Sequence, residues 1–236
     1  MTPRVPIDEE FFPPFEGFPR AALAFLRKLK RNNNRPWFQK HKTEYEELVR
    51  FPMQCLIATI GQKMQEEAPD IDFHPRKSIF RIYRDTRFSR NKTPYKTNVA
   101  ASFTFRGAKG PIETPGLYVG IEPGEIFIGG GLYMPTGPQL KVIRRTIATE
   151  PERFLEIVRH PRFLRVFKHI EGERLQRAPL GYVPEHPMIE YLKSKQFYVG
   201  VVLPDGACHQ TRFADTVVRT FTDCLPLVRW LSAAIS

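Results

Sequence analysis

Leu117-Tyr118-Val119-Gly120-Ile121-Glu122, then Pro123-Gly124, then Glu125-Ile126-Phe127-Ile128-Gly129, is the stretch on which the fold turns. Two runs rich in aromatic and β-branched residues flank a proline–glycine pair, the composition of a tight turn between antiparallel strands. The pattern predicts a β-hairpin. Upstream, Asn98 to Arg106 sets Val99, Ala101, Phe103 and Phe105 against Ala100, Ser102 and Thr104, which predicts a half-buried strand. Ser78 to Tyr83 alternates in the same way and is expected to add another. Together these segments predict an antiparallel meander.

Helical periodicity surrounds the strands. From Pro19 onward Ala22, Leu23, Leu26 and Leu29 fall on one side of a helix, with Arg20, Arg27, Lys28 and Lys30 on the other. Asn32-Asn33-Asn34 ends that helix as capping and turn residues, and Asn34 is placed to cap a second, anchored by Trp37, Phe38, Tyr45 and Leu48 as core residues. A third is expected from Pro52 to Gln65. Asp70 to Pro75 forms a link. Downstream of the hairpin, Gly129-Gly130-Gly131 reads as a strand end, followed by helices at Gln139 to Ala148, Pro151 to Val158 and Pro161 to His169. Ala178 to Pro187 is a proline-rich loop. Gln196 to Leu203 is apolar enough for an interior strand. A last helix begins near His209 and runs until Pro226 bends or restarts it. The fold class is α+β, an antiparallel β-meander sheet packed against N-terminal and C-terminal helices. Residues 1–236 read as a single domain, with 1–18 an extended arm whose Phe11, Phe12, Phe15 and Phe18 pack on the body.

The composition, 42% hydrophobic, 12% aromatic and 26% charged, is that of a globular protein able to bury a full core. The amino terminus carries no secretory apolar stretch, and charges or prolines interrupt every hydrophobic run before it reaches membrane-spanning length. Cys55, Cys208 and Cys224 are odd in number and lack metal-ligand spacing, which fits reduced thiols in a cytoplasm.

Three strings stand out in order: Asn32-Asn33-Asn34-Arg35-Pro36-Trp37-Phe38, Phe80-Arg81-Ile82-Tyr83-Arg84-Asp85-Thr86-Arg87-Phe88-Ser89, and Lys92-Thr93-Pro94-Tyr95-Lys96. With Gly129-Gly130-Gly131-Leu132-Tyr133-Met134-Pro135, and Gly181-Tyr182 before His186-Pro187, the chain over roughly residues 15 to 232 resembles the bacterial and fungal family "domain of unknown function 2461". The resemblance implies a stand-alone α+β domain of about this size. It carries over no activity, cofactor or catalytic residue.

The net charge of +11 is concentrated. Between Arg76 and Lys109 ten basic residues face one acid, Asp85, so that segment alone is +9, while the remaining 26 basic and 24 acidic residues nearly cancel. Arg81, Arg84, Arg87 and Arg90 recur every third residue, which suits a strand running into a loop better than a helix face. There, several guanidinium groups could converge. Crowded cations need solvent, carboxylates or an anionic ligand, and arginine's planar fork suits phosphate or carboxylate, with Lys92 and Lys96 adding point charges. Backbone amides around the triple glycine could assist.

Four readings stay open. The leading one is an anion-recognition domain that binds a phosphorylated small molecule or nucleotide through Arg81, Tyr83, Arg84, Arg87, Arg90, Lys92, Tyr95 and Lys96. A second is a nucleic-acid-binding protein in which Tyr83, Phe88 and Tyr95 stack on bases. A third is a phosphate-handling transferase or hydrolase with Asp85 as its acid or base, beside Tyr83 or Tyr95. In the fourth, an interaction module, the arginines form a structural network, tied to carbonyls or neutralised by Glu44, Glu46 and Glu47. The six histidines lack metal-site spacing, and no nucleophile elbow, phosphate-cradling loop or dinucleotide fingerprint is present, so no cofactor is indicated.

Overall fold

A computed structural model describes residues 12–87, 89–108, 110 and 112–236. Strands β1 (Val99–Thr104), β2 (Gly116–Glu122), β3 (Glu125–Leu132) and β4 (Phe197–Leu203) form one antiparallel sheet in the order β1-β2-β3-β4. The expected hairpin joins β2 to β3 through Pro123-Gly124, closed by the pair Glu122 and Glu125, with Gly124 at φ +98°. Before the sheet come α1 (Arg20–Arg31), α2 (Arg35–Lys40), α3 (Lys42–Tyr45) and α4 (Phe51–Lys63), with a π-helical turn over Glu46–Arg50 joining the last two. Between β3 and β4 lie α5 (Gly137–Thr149), α6 (Pro151–Val158), α7 (Pro161–Val166) and α8 (Ile189–Leu192), and α9 (Phe213–Ile235) completes the chain. The α+β reading holds.

Alternation along the strands decides which face is covered. Val99, Ala101, Phe103, Leu117, Val119, Ile121, Ile126, Ile128, Leu132, Phe197 and Val199 all point to one side and are buried. Against them lies α9, whose Phe221 meets Phe103 edge to face at 5.6 Å. Each such side chain contributes about 1.5–3 kcal/mol of burial. Gly130 permits the approach: a Cβ there would sit 2.9 Å from Cys224 Cβ and 3.1 Å from Val228. One continuous core then extends to Phe15 and Phe18 of the arm, with Phe12 packed partly against it. The Phe18 amide donates to the Cys208 carbonyl at 2.8 Å, tying the arm to the approach of α9. Phe11 lies outside the described residues.

Several expectations are corrected. Ser78 to Tyr83 is not a regular strand: Ile79 bridges Ala101 of β1, but by Tyr83 the chain has changed partner to Tyr95, and four residues are too few to build either ladder. β4 is an edge strand, not an interior one, and its burial fades toward Val202. Among the described residues its outer side is met by a bridge from Glu171 to Tyr198. Helix α9 starts at Phe213 and runs unbroken across Pro226, which faces solvent, where water can satisfy the carbonyl that proline leaves without a donor. The triple glycine does not end a strand. Gly129, Gly130 and Gly131 sit inside β3 and pair with β2 on one side and β4 on the other.

Candidate functional site

The basic segment is held at two points. The Arg84 amide donates to the Pro94 carbonyl at 2.9 Å and the Lys96 amide to the Ile82 carbonyl at 2.8 Å, so residues 84–94 form a loop pinned at its neck. Within it Arg84 Nη1 donates to Thr93 Oγ1 at 2.5 Å, and Lys92 Nζ donates to the Thr86 carbonyl at 2.8 Å. Arg87 grips Asp85 with Nε to Oδ1 at 3.0 Å and Nη2 to Oδ2 at 2.7 Å. The Asp85 carboxyl is thereby held down to about 2, chiefly by the Arg87 side chain, then by the Arg87 backbone amide. Arg81 and Arg90 are exposed. Three of the loop cations, Arg84, Arg87 and Lys92, are thus hydrogen-bonded to the loop's own oxygens. Phe88 and Lys109 lie outside the described residues.

Tyr95 is not open to a ligand. Its ring is 1% exposed and stacks on Phe38 at 4.1 Å, while Tyr83 beside it is 48% exposed. Nor do the three glycines offer a cradle of amides, since their backbone lies in the sheet ladder. Glu46 pairs with Arg50 on its own helical run at 2.9 Å, and Glu44 faces His41 at 4.0 Å.

Arg81 and Tyr83 instead contribute to a cleft of about 320 Å³ between the segment 76–83 and the helices before it. Among the described residues Lys42, Arg50, Arg76 and Arg81 line this cleft, with one carboxylate, Glu46. The π-helical turn carries Glu46 and Arg50, and such turns often mark functional positions. Burial pushes the Tyr45 phenol up to about 12, reinforced by Glu46 and Tyr83 and opposed by Arg50. Beside the cleft, Lys96 Nζ sits 4.9 Å over the Phe80 ring, and burial first, then the positive charge of Arg81, pushes its ammonium down.

A second cavity, about 540 Å³, lies over the sheet face that α9 does not cover. Its floor is a row of aromatic rings crossing the strands: Phe80 to Tyr118 at 6.3 Å, Tyr118 to Phe127 at 6.0 Å, Phe127 to Tyr198 at 6.3 Å and Tyr198 to Tyr133 at 5.5 Å. The rings lean along the sheet over glycine backbone. A Cβ on Gly120 would lie 2.5 Å from the Tyr118 hydroxyl, and one on Gly200 would lie 2.6 Å from Phe127 Cε2. This site was missed in the sequence, although its signal was there. Tyr118-Val119-Gly120, Phe127-Ile128-Gly129 and Tyr198-Val199-Gly200 repeat an aromatic, a buried aliphatic and a glycine on three strands.

Among the described residues no three His, Cys, Asp or Glu side chains are grouped to hold a metal ion, and no helix is long and apolar enough to cross a membrane. Residues 21–230 match the model of a family described as Conserved hypothetical protein (DUF2461). The chain matches no curated protein.

Proposed function

The chain belongs to the DUF2461 family, whose description names no activity, and from the geometry we propose that it is an anion-recognition domain for a phosphorylated small molecule or nucleotide. The reading places the anion in the cleft of Arg81 and Tyr83, and it rests on one observation: Lys42, Arg50 and Arg81 line that cleft with a single carboxylate among the described residues, Glu46, which Arg50 already holds. Guanidinium forks at Arg50 and Arg81 suit a phosphate's oxygens, and the exposed Tyr83 hydroxyl can donate beside them. Lys96, half buried next to Arg81, adds a charge that an incoming anion would relieve.

Within this reading the loop 84–94 is a scaffold. Arg84, Arg87 and Lys92 stiffen it through Thr93, Asp85 and Thr86, and Arg90 adds only to the approach field. That arrangement also supports the interaction-module reading for the loop itself. Nucleic-acid binding has less support, since of Tyr83, Phe88 and Tyr95 only Tyr83 is an exposed ring among the described residues. Asp85 as a general base is disfavoured because a carboxylate held near 2 is a weak proton acceptor at neutral pH. One continuous core from Phe15 to Leu231 supports a single domain, and three buried free cysteines fit a reducing cytoplasm.

Calorimetric titration with pyrophosphate and adenosine diphosphate tests the reading. Arg81→Ala and Arg50→Ala are each expected to weaken binding roughly 10-fold or more, as loss of a charge-assisted contact implies, while Arg90→Ala changes it little. Folded Arg81→Ala protein that binds both probes as tightly as the wild type would end this proposal.

A further inference from the structure

The cavity over the open sheet face differs in electrostatic character from the basic cleft. Among the described residues its charged lining residues are Glu125 and Glu171, in a protein of net charge +11. Aromatic faces carry the negative end of the ring quadrupole, so Tyr118, Phe127, Tyr133 and Tyr198 add to the same sign. A polyanion is disfavoured there, and a cation with an apolar surface is favoured.

The rings near β3 and β4 are inclined to one another. Tyr133 meets Tyr198 at 61° and Phe127 meets Tyr198 at 72°, which makes a corner rather than a flat platform. A corner of faces suits a compact, rounded group more than a planar base. It is also built firmly. Glu171 donates its amide to the Tyr198 carbonyl at 2.8 Å, while the Gln196 side chain donates to the Tyr133 carbonyl at 3.0 Å and accepts from the Glu173 amide at 3.0 Å. The molecule already makes such a contact where Lys96 sits over Phe80 at the other end of the ring row.

We propose that the corner formed by Phe127, Tyr133 and Tyr198, with Glu171 at its edge, is a binding site for an organic cation of the alkylated-ammonium class. Charge complementarity carries the assignment: ring faces and a carboxylate meet the positive head, and Met134 and Val202, 54% and 62% exposed, leave apolar surface for its substituents. The corner lies at the end of the ring row away from Phe80, the residue this cavity shares with the basic cleft, so a ligand could carry an anionic and a cationic end without the two readings depending on each other.

The test compares choline with its uncharged carbon isostere, 3,3-dimethyl-1-butanol, by NMR titration of the full chain. Choline is expected to bind roughly 10-fold more tightly than the isostere, with shifts at Tyr133 and Tyr198. Glu171→Gln should weaken choline several-fold and leave the isostere unchanged. Tyr133→Leu, at a 57% exposed position, should weaken choline as well. Arg81→Ala should leave choline binding intact. Equal binding of both probes would mark a merely apolar groove and overturn the proposal, as would adenosine diphosphate displacing choline from this corner, or no choline binding by the folded protein.

Discussion

The side-chain amide of Asn33 closes a ring of two hydrogen bonds with the backbone of Tyr95, donating from Nδ2 to the carbonyl at 2.9 Å and accepting the Tyr95 amide on Oδ1 at 3.0 Å. A turn residue between α1 and α2 thus acts as a one-residue strand partner, 62 positions away, for the segment that carries the basic loop. Asn33→Ala is expected to cost about 1–3 kcal/mol, because both backbone groups of Tyr95 lose their partner in a part-buried place. Asn33→Asp should fall short of rescue, since a carboxylate cannot donate to the Tyr95 carbonyl. Urea melts measure the loss, and faster amide exchange at Tyr95 than in β3 would locate it.

Asp85 gives a pH signature. Its folded carboxyl titrates near 2 against an ordinary 3.8, so its contribution to stability is present above the unfolded value and is lost as pH falls through the folded one. The window runs from roughly pH 4 down to 2. Carbon-detected NMR should show Asp85 as one of the last carboxyls to protonate, and Arg87→Ala should return it toward the ordinary value. Titration near 3.8 in the native protein would contradict the Asp85 to Arg87 fork.

Two glycines that look alike in composition should behave in opposite ways. Gly131 has φ +137°, and a Cβ there would press on the Phe197 carbonyl and lie 2.5 Å from Tyr198 Cα, so Gly131→Ala should cost about 1–3 kcal/mol. Gly137 opens α5 with nothing within 4 Å of a built Cβ, and Gly137→Ala should be neutral or stabilise by about 0.4–1 kcal/mol. Thermal denaturation of the pair settles the sign.

The thiols should be silent in the native state. Cys55, Cys208 and Cys224 are buried, and burial raises all three, Cys208 to about 12 with Asp205 reinforcing it and Cys224 well above its ordinary value. A thiol reagent at pH 8 is expected to label none quickly in buffer and all three in guanidinium chloride. Rapid labelling of Cys208 in folded protein would contradict this burial.

Legibility in the sequence followed range. The β2–β3 hairpin was readable because Pro123-Gly124 and its flanking alternation fall within thirteen residues, and α1 was readable because its burial repeats every turn. Ser78 to Tyr83 failed as a strand because alternation says nothing about a change of partner between Ile79 and Tyr83. At the candidate site, Arg81 and Tyr83 were found by charge and composition. Lys42, Arg50 and Arg76 were not assigned to it, since their meeting depends on how the helices pack against residues 76–83.

The chain's own order of residues determined an antiparallel meander bracketed by helices, a proline–glycine hairpin and a block of cations, because periodicity, turn chemistry and charge are all written within a few turns or a few strand residues. Packing alone decided that Arg84, Arg87 and Lys92 are consumed by their loop, and that Asn33 serves Tyr95. It also decided that three aromatic–aliphatic–glycine triplets line up across Tyr118, Phe127 and Tyr198. The reason is physical: a side chain's neighbours across a sheet or a loop are fixed by register and docking, and those are set by the core that the whole chain buries together.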